Sequence, residues 1–207
     1  SLTVTNRDLA IDRTAIIGWT ALTHLAHLRE EKFDGNLFLE NLREKGYDIC
    51  DKPIFYASQN VSPADVPGFL DYEVRLTTEI FRTANDLGHQ LLVRGHPVEK
   101  DDGITSELAK NYGHTHLPFK SCDLKDLLRS SYATVAGKSD VLVEACVLDC
   151  NVGGIFIEPT KEEIKRLSRD AIEAHHSLPV INRGAIPYTE TIEGISRIFE
   201  TITSENP

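Results

Sequence analysis

Apolar residues in this chain gather into short dense runs, and between those runs they recur every three or four positions. Dense runs of four to six residues bounded by Gly or Pro predict buried strands, and the wider spacing predicts amphipathic helices. On that pattern residues 15–18 form a short strand ending at a Gly, and residues 21–30 and 36–45 are helices. Residues 53–58 (PIFYAS) form a strand with Pro at its edge. A long amphipathic helix covers residues 71–87 and ends at Gly88, and residues 90–94 (QLLVR) form the next strand, stopped by Gly95-His96-Pro97.

The alternation continues to the end. Short helices are predicted over residues 105–112 and 123–130, the second with Cys122 or Asp123 near its N-cap. A strand at residues 132–136 leads to a helix at 139–148 capped by Ser139. A strand follows at 154–157, then a helix at 160–174 that opens on Thr160-Lys-Glu-Glu163, a hydroxyl and a carboxylate at capping spacing. Residues 178–181 read as a short strand and 189–201 as a closing helix. Strands with continuous apolar cores alternating with helices predict an α/β fold: a Rossmann-like three-layer αβα sandwich around a parallel sheet. Residues 59–69 are the most loop-like stretch and lie past the C-terminal end of a strand, the edge where open α/β sheets bind ligands.

Composition narrows the function. The 207 residues carry 22 Lys and Arg against 32 Asp and Glu, a formal net charge of −10. No basic block exists to neutralise a nucleic-acid backbone, so nucleic acid is not an expected partner, whereas a single nucleotide remains open. The start of the chain lacks the apolar core of a signal peptide, and no apolar run is long enough to span a bilayer. The four cysteines show no CxxC spacing and are too sparse for a disulfide framework, so reduced thiols in a cytoplasmic protein are expected. Cys146 and Cys150, four apart on a predicted helix, read first as packing residues.

Three constellations could carry chemistry. Arg94-Gly95-His96-Pro97 follows an apolar strand: imidazole can donate to a phosphate, Gly95 admits a ligand close to the backbone, and Pro97 fixes the turn. The plain alternative is a turn with an incidental His. Gly137-Lys138-Ser139-Asp140 places a hydroxyl between a strand and a helix, where N–H groups and dipole suit a phosphate, or where Ser139 simply caps. It is not a P-loop, since Tyr132 stands where the first Gly would be. Glu144 lies in an apolar helical stretch, where a carboxylate accepts ribose hydroxyls or faces solvent. His114 and His116 alternate before Pro118 and read as strand residues rather than metal ligands. His24, His27, His175, His176 and the sole Trp19 read as surface, helix-end or core residues. No hydrolase elbow, zinc-protease or dinucleotide fingerprint is present.

Taken in order, IIGW, KPIFYASQN, LLVRGHP, DLKDLL and YATVAGKSDVLVEA resemble the C-terminal, donor-binding half of a GT-B glycosyltransferase. The pattern is most like the CDP-glycerol glycerophosphotransferase and capsule-polysaccharide transferase group, which includes bacterial polysialyltransferases. The resemblance runs from Ile16 to Ile157. It implies that His96, in the His-Pro motif with Pro97, contacts the donor phosphate as the catalytic group. It implies that Ser139 holds the same phosphate and that Glu144 meets the ribose, with Arg94, Lys138 and Asp140 beside them. Residues 123–128 would neighbour the base, and Gly18 would end the first strand at the interdomain linker. Lys138 stands where many members have Ser or Thr, and the stretch from Asp149 to Gly153 lacks their Pro.

The implied activity is transfer of a sugar or polyol phosphate from a nucleotide-activated donor. No cofactor and no metal are expected, since helix dipoles and basic side chains offset leaving-group charge. The expected partners are a nucleotide-sugar or CDP-polyol donor and an acceptor-binding domain or subunit. Residues 1–207 would form one domain, with residues 1–50 reaching back toward the linker. Alone it would not be expected to be a competent catalyst, as an excised half or a separate subunit. Peripheral work at the inner membrane face is left open. Three rivals remain, the first two being a UDP-N-acetylglucosamine 2-epimerase-like enzyme, although its Gly-Gly-x-x-Glu-Glu pattern is absent, and a non-catalytic GT-B-like binding module. A generic flavodoxin-like domain with accidental motifs is the third.

Overall fold

A computed structural model of the chain describes residues 20–58, 69–96, 103–137, 139–157, 160, 162–163 and 186–204. The expected strand at 15–18, Gly18, Trp19, the stretch 59–68, Pro97, Lys138, the helix beyond Glu163, His175, His176 and the strand at 178–181 lie outside the described residues.

Two helices come first, α1 (Thr20–Glu30) and α2 (Gly35–Glu44). The Asp34 side chain accepts from Leu37 N–H and so starts α2. The elements β1 (Ile54–Ala57), α3 (Phe69–Asp86), β2 (Leu91–Arg94), α4 (Ile104–Asn111) and β3 (Thr115–Leu117) follow. Then come α5 (Leu124–Ser130), β4 (Ala133–Ala136), α6 (Val141–Val147) and β5 (Val152–Ile155). A short β6 (Tyr188–Thr189), a 3₁₀ turn (Ile192–Gly194) and α7 (Ile195–Thr203) complete the described chain.

All six strands are parallel, in the order β3-β2-β1-β4-β5-β6. Strands β1, β2, β4 and β5 are buried on both faces, which is why their sequences show no polar alternation. Successive side chains feed two separate cores. Phe55, Ala57, Leu92 and Ala136 join Leu39 and Leu42 of α2, Leu127 of α5 and Leu142 of α6 on one face. Ile54, Tyr56, Val93 and Val135 join Leu76 and Ile80 of α3, Ala109 of α4 and Phe199 of α7 on the other. Three layers result, as the sequence predicts. Leu25 and Ile49 also lie in the first core, so the chain before β1 contributes to the domain's interior.

Helix stops are local chemistry. Gly88 and Gly113 adopt left-handed φ values of 76° and 72° just past α3 and α4. The capping pair at Thr160 forms as read: Thr160 N–H donates to Glu163 Oε2 at 2.6 Å, and Glu163 N–H donates to Thr160 Oγ1 at 3.2 Å. Glu163 also takes a two-pronged bond from Arg75 of α3, at 3.0 and 2.9 Å. Burial works to raise its carboxyl, but these hydrogen bonds outweigh it and hold Glu163 below the usual range.

Three expectations are corrected. The closing helix does not begin at Thr189. Tyr188 and Thr189 pair with Gly154 and Ile155 as a sixth strand, and α7 starts only at Ile195. Parallel pairing with β5 claims this backbone instead, and the Pro187 carbonyl takes the Gly154 N–H at 3.0 Å. The strand expected at 154–157 lies two residues earlier, because Val152 and Gly153 pair with Thr134 and Val135. The helix expected from Ser139 begins at Val141. The helix ends at Val147, so Cys150 lies beyond it, after Asp149 at φ 64°, yet it packs on the same core as Cys146.

Candidate functional site

The order 3-2-1-4-5-6 reverses direction between β1 and β4. The helix after β1, α3, covers one face of the sheet, and the helix after β4, α6, covers the other. In open parallel sheets ligands bind at the C-terminal ends of the strands at such a reversal. Register levels the rim: Ala57 lies opposite both Arg94 and Ala136, and Arg94 lies opposite Leu117. Ser58, Gly95, His96, Gly137 and Ser139 therefore all follow strands that end at one edge.

His96 is half-buried, two residues beyond β2. Ser139 is half-buried beyond β4, and its Oγ accepts from Val141 N–H at 3.3 Å. A hydroxyl that accepts still has its own proton to give. Ser139 is not the residue flanking the helix. Asp140 is, with helical φ and ψ and no capping bond from its side chain. The cause is a tight turn in which Leu142 N–H bonds the Ser139 carbonyl at 3.1 Å.

Glu144 lies on the second half-turn of α6 and is half-buried. Burial pushes its carboxyl above the usual range, Lys125 pulls it back, and Asp140 and Asp123 add to the rise. The N-terminal end of α5, where Asp123 accepts from Lys125 N–H at 2.8 Å, thus shares its electrostatic neighbourhood with Glu144.

Arg94 is 8% exposed and is engaged in holding the chain after β3. Its Nη2 donates to the Phe119 carbonyl at 2.8 Å, and the guanidinium stands 4.6 Å from the Phe119 ring centroid. Its Nε is buried and makes no hydrogen bond. Burial lowers its pKa, against the opposing pull of Cys122 and Asp123. Pro97 and Lys138 lie outside the described residues.

The described residues around β1 include some that motif reading passed over. Ser58 Oγ lies 3.3 Å from Thr105 Oγ1, and Tyr56 OH lies 3.2 Å from Thr77 Oγ1. Glu73 is fully buried in the sheet-facing stripe of α3, between Tyr72 and Leu76. A carboxylate inside an apolar helical stripe is the signal that could have found it. Among the described residues, no group of three or more His, Cys, Asp or Glu side chains is placed to hold a metal ion.

Among the solved structures that share this architecture are two bacterial proteins. The first, from Listeria monocytogenes, is provisionally assigned as a UDP-N-acetylglucosamine 2-epimerase. It matches 95% of this chain with a TM-score of 0.54 and 15% identity, over 48% of its own chain. The second is a glycosyl transferase family 9 protein from Veillonella parvula. It matches 86% of this chain with a TM-score of 0.50 and 11% identity, over 53% of its own chain. The fold is one half of a GT-B architecture. This chain spans about half the length of the solved structures it matches. It matches no protein-family profile and no curated protein sequence. Among the described residues, no helix is long and apolar enough to cross a membrane.

Proposed function

We propose that this chain is the nucleotide-donor-binding half of a glycosyltransferase. It would help pass a sugar or polyol phosphate from a nucleotide-activated donor to a surface polysaccharide or teichoic-acid-like polymer on the cytoplasmic side. The observation that carries this reading is the placement of His96 and Ser139 at one strand edge, on either side of the β1 end, at the point where the sheet reverses. A diphosphate lying across that edge would receive the imidazole N–H on one flank and the Ser139 hydroxyl on the other. Donation there stabilises charge on the departing phosphate. Glu144, held above its usual pKa range by burial, would gain from ribose hydroxyls donating to it. The acceptor would arrive on a second domain or subunit, without which turnover is not expected.

Calorimetry of the full chain against CMP, CDP, UDP, UDP-N-acetylglucosamine and CDP-glycerol tests this reading. Saturable binding of one family of nucleotides supports it and names the base. No binding by a folded chain would favour a non-catalytic module. The match to the Listeria structure keeps an epimerase-like reading as the second choice. Its separate mark would be C2 exchange of UDP-N-acetylglucosamine seen by proton NMR. The single Glu144 after Gly137 and Ser139 weighs against it.

A further inference from the structure

Arg94 closes β2, two residues after Leu92, so its side chain leaves the sheet on the same face. That face carries the first core, with Leu92, Leu117, Leu127 and Leu142. Among the described residues no carboxylate pairs with the Arg94 guanidinium, and its buried Nε finds no acceptor. Stability alone would favour an apolar side chain at this position.

What Arg94 touches is one turn. Residues 118–121 are closed by Ser121, whose N–H and hydroxyl both donate to the Pro118 carbonyl, at 2.9 and 2.7 Å. Arg94 holds the middle of that turn twice over, through the Phe119 carbonyl at 2.8 Å and the Phe119 ring at 4.6 Å. A planar guanidinium can serve a carbonyl and a ring at once. Cys122 follows, half-buried against the first core, and then Asp123 opens α5 by accepting from Lys125 N–H. The first turn of α5 so placed puts Lys125 and Asp123 in the electrostatic neighbourhood of Glu144 on α6.

We propose that Arg94 is the positioning residue for the first turn of α5, acting through the turn at 118–121, and is not a group that meets a donor phosphate. The end of β2 thereby sets where Lys125 and Asp123 stand relative to Glu144. Only the consequence for nucleotide binding rests on the donor-binding reading.

The test uses the full chain as Arg94→Met, which keeps the length and removes the donors, and Arg94→Lys, which keeps the charge without the planar fork. Alkylation by iodoacetamide, resolved by peptide mass spectrometry, gives separate rates for Cys122 and for Cys146 and Cys150, which pack on the same core. The expected result is a Cys122 rate about ten-fold faster in Arg94→Met, the loss of one hydrogen bond from a charged group, with Cys146 and Cys150 unchanged. Arg94→Lys should also release Cys122, and it carries the test if Arg94→Met does not fold. An unchanged Cys122 rate, or one that rises only together with Cys146 and Cys150, overturns the proposal. Calorimetry should show CDP and UDP bound about three- to ten-fold more weakly by the variants. Competition by inorganic pyrophosphate, which carries neither ribose nor base, should keep its wild-type strength, and weaker competition would put Arg94 on the phosphate and overturn the proposal. If wild type binds neither nucleotide while Cys122 alone is released, the positioning role stands and the donor-binding reading falls.

Discussion

Nε2 of His114 lies 2.9 Å from the carbonyl oxygen of Phe81 and donates its proton to it. On the other side of the ring, Nδ1 accepts from Leu91 N–H at 3.4 Å, which selects the neutral tautomer. The ring is buried and stands edge-on to Phe81 at 5.1 Å between centroids. One side chain thus joins α3, β2 and the entry to β3, a structural use for a histidine that sequence alone could offer to a metal.

Burial lowers the His114 pKa, against the raising pull of the Phe81 carbonyl, so the unfolded chain binds more protons in the window below the ordinary value. Its contribution to stability is complete above about pH 6.5 and declines as the pH falls below that. His89, also lowered by burial, adds to the same slope. Melting temperature followed from pH 8 to pH 5 should fall. His114→Gln, which keeps a donor and an acceptor, should flatten part of that fall. His114→Leu orphans both backbone groups and should cost about 2 kcal/mol or more at pH 8.

Gly153 lets α7 lie against β5. A Cβ there would come 2.5 Å from Ile198 Cγ2 and 3.2 Å from Ile202 Cγ2. Gly153→Ala should therefore destabilise by about 1–3 kcal/mol in urea unfolding. Adding Ile198→Ala should give a double variant more stable than the sum of the two single losses, the sign of relieved overpacking.

Thr134 sits in the middle of β4, fully buried, and its hydroxyl makes no hydrogen bond. Thr134→Val keeps the branched shape that suits a strand and removes the unsatisfied group. We expect a gain of about 1 kcal/mol in the same assay, with nucleotide binding unchanged.

Much of this fold was legible because its strands are apolar throughout and its breaks are marked. PIFYAS, QLLVR and YATVA each locate a strand to within a residue or two, and the Thr160–Glu163 capping pair forms as written. The two-residue β6 was hidden because it is too short to show a period, and its pairing with β5 is a long-range event. The start of α6 was misplaced because Ser139 looks like a cap but sits in the turn before it. His96 and Ser139 were proposed from strand-end motifs and Glu144 from an apolar helical stretch, and the first two follow strands that end at one edge. Ser58 and Thr105 were not singled out, since their contact joins β1 to α4 and no local pattern carries it, whereas Glu73 did carry a local signal, a carboxylate in an apolar stripe.

Glu144 separates stability from binding. Its folded pKa is raised by burial above that of the unfolded chain, so its charged form weighs against folding once the pH passes the unfolded value near 4.3. Glu144→Gln should melt higher than wild type at pH 7, with the gap closing toward pH 4. If the carboxylate meets ribose, the same variant should bind nucleotide more weakly.

The most direct test of the central claim is the affinity of His96→Ala and Ser139→Ala for whichever nucleotide wild type binds, with circular dichroism showing each variant folded. The donor-binding account predicts that each substitution weakens binding at least about ten-fold, the loss of a charge-assisted hydrogen bond to phosphate. Unchanged affinity in both variants would contradict it, since the nucleotide would then lie somewhere other than the edge where β1, β2 and β4 end.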